Sequence, residues 1–164
     1  MWLRRKLHGL THTVELTTLL DAPPEEVWDR VQTSALLQHV AAPLIRFVPR
    51  GERFPRRWSP SEYRAWMFVF GIFPIGWQTI GIEYPVSPAT THVLRDNGHS
   101  PLIRRWDHWI EIAPENGGTR YTDRVHIDAG ILTPLVAGFA RLFYAHRQSR
   151  WRALAMTGFT ALPK

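Results

Sequence analysis

The side chains able to do chemistry in this 164-residue chain gather in two stretches. In the first, alternation along Ile103–Ile112, read as a strand, puts Trp106, His108, Ile110 and Ile112 on one face. Along Thr119–Ile127, read as its return strand, Tyr121, Asp123, Val125 and Ile127 share a face. Matching the two apolar faces predicts Ile110 opposite Tyr121, His108 opposite Asp123 and Trp106 opposite Val125, since a slip of one would set His108 against Arg124 and bury charge. An imidazole beside a carboxylate gains a raised pKa and a fixed tautomer, one ingredient of general acid–base catalysis. The same pairing is equally a way to satisfy two buried polar groups. Arg105, Asp107, Trp109 and Glu111, on the other face, are expected to meet solvent.

The second stretch is Gly130–Thr157, predicted as one long helix with Thr133 as N-cap and Pro134 at its first position. At about 100° per residue, Leu135, Val136, Phe139, Leu142, Phe143, Ala153 and Leu154 fall on one face, with Ala137, Arg141, Gln148 and Arg152 opposite. His146 and Arg150 lie inside the apolar arc. An arginine there needs either an acid of the protein, such as Asp123 or Glu83, or a ligand carboxylate or hydroxyl held by the guanidinium fork.

The elements that must position these groups are legible in chain order. Thr11–Leu20 alternates and is rich in β-branched residues, so it reads as a strand. Asp21-Ala-Pro-Pro-Glu-Glu opens a short helix, and a second covers about Ser34–His39. Leu44–Val48 is extended and Pro49–Pro60 is a loop. Strands are predicted over Ser61–Phe70, Trp77–Tyr84 and Thr90–Asp96, followed by the hairpin above. Asn97-Gly98 reads as a turn and Pro114–Gly118 as a hairpin loop. Short loops demand antiparallel neighbours, and only the last helix is long enough to cover the sheet.

Composition narrows the function. The chain is long enough for one domain with a core, 1–164, with a basic arm at 1–10 and a tail at 158–164. Zero cysteines exclude disulfides and thiolate chemistry, and fit a reducing, cytoplasmic setting. No metal site is expected, because no H-E-x-x-H occurs. Nor is there a G-x-S-x-G, a phosphate-binding GK[ST] or a G-x-G-x-x-G, so no nucleotide cofactor is expected either. Net charge is +6, but the arginines are scattered without interleaved aromatics, which argues against nucleic acid. No apolar run is long enough to span a bilayer, and no apolar segment follows the basic start to make a signal peptide. Eight tryptophans are enough to wall a pocket or to fill one.

In order and spacing, "LLDAPPEEVWDRV", "FGIFPIGWQTI", "RDNGHSPLIRRWDHWIEI", "GGTRYTDRVHI" and "LFYAHRQSRW" resemble the START/Bet v 1-like superfamily, and most of all its bacterial polyketide cyclase/dehydratase-like and "cell division inhibitor"-labelled members. The resemblance runs from about Thr13 to Leu154. It implies an α+β helix-grip fold: a seven-stranded antiparallel sheet wrapped around a long C-terminal helix, with two short helices after the first strand. It also implies a cavity between sheet and helix for lipids, sterols, polyketides or plant hormones. A W-x-H-x-H pattern associated with those members matches at Trp106 and His108, but Ile110 stands at the second His. A D-x-x-x-G-P-like turn survives at Asp96 with Ser100-Pro101.

The leading expectation is a binder of a small hydrophobic ligand. Trp66, Trp106, Ile110, Tyr121, Val125, Phe139 and Phe143 would form its wall, and His108, Asp123, His146 and Arg150 its polar points. The alternative is a cyclase or dehydratase with His108 as acid–base, Asp123 as its orienter and Tyr121 as donor to a developing enolate. A third reading is a basic adaptor resting on an anionic membrane through Arg4, Arg5, Lys6 and the Arg50–Arg57 loop.

Overall fold

The structure is a computed structural model that describes residues 11–163. The basic arm expected at 1–10 therefore lies outside the described residues. Seven strands form one antiparallel sheet: β1 (His12–Leu20), β2 (Ile45–Pro49), β3 (Ser61–Val69), β4 (Phe73–Glu83), β5 (His92–Gly98), β6 (Arg105–Glu115) and β7 (Gly118–Asp128). Their order across the sheet is β1-β7-β6-β5-β4-β3-β2, so every strand but β1 lies next to its neighbour in sequence. Two short helices, α1 (Pro24–Val31) and α2 (Ser34–Ala41), follow β1, and α3 (Thr133–Met156) closes the chain. This is the helix-grip arrangement that the resemblance implies.

Local chemistry explains the boundaries. Pro24 opens α1 at a position where no N–H is needed, and Glu25 and Glu26 sit at the positive end of its dipole. Thr33 caps α2 by accepting from the Leu36 amide at 3.2 Å, while its own hydroxyl donates to the Arg30 carbonyl. Thr133 is not the cap of α3. It is the first helical residue, and its hydroxyl donates to the Gly130 carbonyl of a short 3₁₀ turn, Gly130–Leu132. The β6–β7 hairpin is tighter than predicted: pairing continues to Glu115 and Gly118, and only Asn116 and Gly117 turn, both at positive φ. Asn97-Gly98 makes no turn. It continues β5, paired with Asp107 and Trp106.

The concave face of the sheet carries Val14, Leu20, Ala65, Ile80, Ile82, Leu94, Ile110, Ile112, Tyr121, Val125 and Ile127, all buried. Helix α3 packs chiefly on β1, with further contacts to β7 and α2. The far half of the sheet is roofed by α2 and the loop after β2 instead, through Leu36 and Trp58, which pack with Phe47 of β2. On the convex face Asp107 is not solvated as expected but 1 % exposed. Arg95 holds it in a fork at 2.8 and 3.1 Å, Arg105 adds a bond at 2.8 Å, and Arg95 in turn lies over the Trp109 ring.

Candidate functional site

The phase of α3 decides which of its side chains enter the interior. The buried residues are Thr133, Ala137, Ala140, Phe143, Tyr144, Arg147, Gln148, Trp151, Leu154 and Ala155, so Phe143 and Leu154 of the expected arc do belong to the inward face. That face is rotated by roughly a third of a turn from the apolar arc read off the sequence. Ala137 and Gln148, expected outside, are buried, whereas Leu135, Phe139 and Leu142 are exposed. The close approach of helix to sheet selects small residues and polar groups that find sheet partners, rather than the largest apolar ones.

His146 and Arg150 do not enter the interior either. His146 Nε2 lies 2.8 Å from the Ala42 carbonyl, and Arg150 donates twice to the His39 carbonyl at 3.2 Å. They fasten α3 to the end of α2, and neither Asp123 nor Glu83 is the partner of Arg150. Glu83 instead receives Arg95 at 2.9 Å.

The polar cluster around Asp123 comes from three elements, β6, β7 and α3. Asp123 of β7 is 1 % exposed and accepts from three sides. His108 Nε2 is 2.8 Å from its Oδ1, the Tyr121 hydroxyl donates to the same oxygen at 3.2 Å, and Gln148 Nε2 donates to Oδ2 at 3.0 Å. The β6–β7 register differs from the predicted one by two residues: Ile110 faces Asp123, His108 faces Val125, and Ile112 faces Tyr121. A two-residue slip preserves the face of every side chain, so His108 still reaches Asp123, now along a diagonal. The tight Asn116-Gly117 turn sets this register.

Burial alone would raise the Asp123 carboxyl. The hydrogen bond from His108, the charge of Arg147 and the Gln148 amide overcome it and hold Asp123 below the usual carboxylate range. For His108 burial wins over the neighbouring carboxylate, and its pKa is lowered rather than raised as the pairing alone suggested. The imidazole is then neutral at pH 7. An ionised carboxylate only accepts, so Nε2 carries the proton and Nδ1 keeps its lone pair.

Two interior ionisable groups are absent from the expected site, although the sequence reading includes Asp96 as part of a turn; it lies instead within β5. Asp96, opposite His108 in the β5–β6 ladder, is half-buried and accepts from the Gly81 amide at 2.8 Å. Burial pushes its carboxyl up to about 7 against that hydrogen bond and Arg147. Arg147 of α3 is 5 % exposed. Its guanidinium lies 5.2 Å from the Tyr144 ring centre and 5.8 Å from that of Phe143. Its Nε is buried with no hydrogen-bond partner, and the acidic groups Asp123 and Asp96 act on it only as charges. Alternation of Leu94 and Asp96 along β5 was the signal for the first. For Arg147 the signal was the run of small residues, Ala137 and Ala140, on its own line of the helix.

These groups border a hollow of about 70 Å³ between α3, α2 and β4–β6. Its walls include Leu37, Phe47, Trp58, Ile110, Trp106 and Phe143, with Gln78, Asp96, His108, Tyr144 and Arg147 as polar points. Ligand pockets typically measure about 300–1,000 Å³, so aromatic and aliphatic side chains have closed this one to a remnant. Trp106, Ile110, Phe143 and His108 of the predicted site thus border the hollow. Tyr121, Asp123 and Val125 lie behind that wall, fully buried. Trp66 lies on the convex face, 39 % exposed, under Arg50. Phe139, 40 % exposed, stacks on Phe143 from outside at 5.7 Å. An open cleft of about 600 Å³ beside Arg30, Arg56 and Arg57 is separate from this cluster. No group of three or more His, Asp or Glu among the described residues is arranged to hold a metal ion.

Comparison with known proteins agrees with this architecture. The fold is shared with a START superfamily protein from Mycobacterium smegmatis, at 16 % identity and a TM-score of 0.63 over 89 % of this chain and 98 % of that one. It is shared with Ara h 8.0201, at 12 % identity and a TM-score of 0.61 over 90 % of this chain and 99 % of that one. The Zhui aromatase/cyclase from Streptomyces sp. R1128 also has it, at 14 % identity and a TM-score of 0.55 over 89 % of this chain and 94 % of that one. No curated protein matches the sequence. Residues 18–155, nearly all of the sheet and helix just described, match the domain of unknown function DUF8410. The chain therefore belongs to the DUF8410 family and carries the START/Bet v 1-like fold.

Proposed function

We propose that this protein binds a small, largely apolar molecule carrying an anionic group, with the apolar part between Trp106, Ile110 and Phe143 and the anion on Arg147. The observation that supports this reading is the buried guanidinium with an unpartnered Nε at the edge of an otherwise apolar hollow. A buried charge without a hydrogen-bonded partner is costly, and an incoming carboxylate would supply the missing bonds. Entry requires the roof residues Leu36, Leu37 and Trp58 to move outward, because the hollow as it stands holds only a few waters.

The test is titration with naphthoate and the matching neutral naphthol, followed by tryptophan fluorescence and by chemical shifts of the Trp106 indole. Naphthoate binds at least about tenfold more tightly, the size of a charge-assisted bidentate contact, and Arg147→Met removes the difference. Equal affinity for the two probes, or no binding of either, overturns the reading.

A second reading, an acid–base enzyme of the cyclase or dehydratase type, is favoured by one arrangement. Neutral His108 and Asp96, whose raised pKa of about 7 leaves it partly protonated at neutral pH, face each other across β5 and β6, both bordering the hollow. Such a pair removes a proton at one atom and delivers one at another in a β-hydroxyketone dehydration. Asp123 then orients His108 from behind. Tyr121 does not reach a substrate, since its hydroxyl is committed to Asp123. Dehydration of a β-hydroxyketone that is lost in His108→Gln supports this chemistry. An inactive native protein across such substrates removes it and leaves binding.

A further inference from the structure

The line of α3 that the sequence marks as apolar has a different use from core packing. Residues 135, 139, 142, 146 and 150 fall within one narrow stripe. Its lower part docks on α2 through His146 and Arg150. Its upper part, Leu135, Phe139 and Leu142, is 73, 40 and 63 % exposed, with no other element packed over it among the described residues. The segment after α2 that receives His146 also holds the β3–β4 hairpin, since the Phe70 amide donates to the Leu44 carbonyl at 3.0 Å. The hairpin tip is thus tied to the same segment as the docked half of the stripe, at the end of the sheet where α3 begins. It too is apolar and exposed, at Phe70, Ile72, Phe73 and Ile75.

The hairpin also stands free along one side. β4 pairs with β5 only near Ile82 and Glu83, with one further bridge at Thr79. Its first residues, Phe73–Gln78, have β3 on one side and no strand on the other among the described residues. Such an edge invites a second copy, but this one is broken. Pro74 lacks a donor, Ile75 is the extra residue of a bulge, and Gly76 sits at φ +114.

Charge points the same way. Arg46 lies against Gly71 at the tip, and Arg104 and Arg105 stand at the same end of the sheet, Arg104 exposed and Arg105 half-exposed with one bond to buried Asp107 at 2.8 Å. Asp128, the acid beside them, is 3.9 Å from Arg104. β1 also begins at this end, with His12 facing Ile127. Two copies meeting here about a two-fold axis would oppose these cations, whereas an anionic surface would be attracted.

We propose that this end of the molecule docks on an anionic lipid bilayer, with the β3–β4 tip and the upper stripe of α3 inserted shallowly and the arginines at the headgroups. The surface differs from the one the sequence suggested. Arg50 of the loop after β2 is engaged by the rings of Trp66 and Trp77, and Arg57 by Asp29.

The test is co-sedimentation of the full chain with phosphatidylcholine vesicles, with and without phosphatidylglycerol. The native protein binds the anionic vesicles and releases as salt rises. The double variant I72S/F73S binds roughly a hundredfold more weakly, the loss expected for two buried apolar side chains, with an unchanged thermal melt because both sites are exposed. L135S/L142S weakens binding likewise. Vesicle binding untouched by both double variants overturns the proposal. So does the absence of binding, or a dimer in sedimentation velocity that both double variants dissociate, which would make the patch a contact between copies. Neither readout depends on what fills the hollow.

Discussion

His108 reaches Asp123 along a diagonal of the β6–β7 ladder, its Nε2 2.8 Å from Oδ1, while the residue directly facing it is Val125. Asp123 is therefore shared. The carboxylate that fixes the imidazole also receives Gln148 from α3 and Tyr121 from its own strand. It joins the helix to the sheet as much as it orients a histidine.

Removing that carboxylate leaves three buried donors without an acceptor. Asp123→Ala is expected to cost about 3–5 kcal/mol, the range for breaking a buried hydrogen-bonded charge. For a chain of this size that lowers Tm by about 10 °C. Urea unfolding monitored by tryptophan fluorescence checks it, and a loss under about 1 kcal/mol would show Asp123 to be peripheral to the fold.

Asp96 titrates in the physiological range. Its folded pKa of about 7 lies above the unfolded value of about 3.9, so the folded chain holds the proton more tightly. The contribution to stability is complete below about pH 4 and is lost as pH rises through about 7. Asp96→Asn keeps an acceptor for the Gly81 amide and has no charge to bury. It should match the native protein at pH 4 and exceed it at pH 8, with a flatter profile between. Asp123 acts with the opposite sign, since its lowered pKa gives stability that disappears only as acid protonates it. Denaturation midpoints across pH, and the carboxyl carbon shift of Asp96, read this directly. Parallel profiles for native and Asp96→Asn would refute it.

Two arginines three residues apart on α3 should respond in opposite ways to removal. Arg147→Met replaces an unpartnered interior cation with an apolar chain of similar length, which stabilises by about 1–2 kcal/mol. It also raises the Asp96 midpoint further, because Arg147 is one of the groups holding it down. Arg150→Ala frees the His39 carbonyl and loosens α2 from α3, at a cost of about 1–2 kcal/mol, and leaves Asp96 unmoved. Paired melts and the Asp96 titration separate the two. Losses of equal sign would mean that Arg147 is structurally satisfied.

How much of this was legible in the residues follows from what each signal measures. The period of two in Ile103–Ile112 and Thr119–Ile127 put His108 and Asp123 on the concave face, and a register two residues off could not undo it. The loops and prolines gave antiparallel strands ahead of one long helix, and the resemblance implied the helix-grip arrangement of them. The phase of α3 was misread because hydrophobicity was taken as a measure of burial. Leu135, Phe139 and Leu142 are apolar and outside, while Arg147 and Gln148 are polar and inside. Trp66 misled in the same way, since one side of its strand is covered by arginine rather than by core. Asp107 shows the converse, a carboxylate on the outer face buried by the guanidinium groups around it.

The division of the roof has a consequence for how the molecule breathes. α3 is latched to β1 by Gln148 on the Leu16 carbonyl and by Arg152 on Thr18, so it opens only when the sheet itself comes apart. α2 is held by a few bonds, among them Ser34 to the Pro55 carbonyl of the loop after β2, Gln38 to the Phe47 carbonyl of β2, and its C-terminal end to His146 and Arg150 of α3. The amides of α2 should exchange hydrogen through a small local excursion, while those of the buried line of α3 exchange only with global unfolding. A guest larger than the resting hollow would then displace a short, separately melting segment and leave the long helix in place.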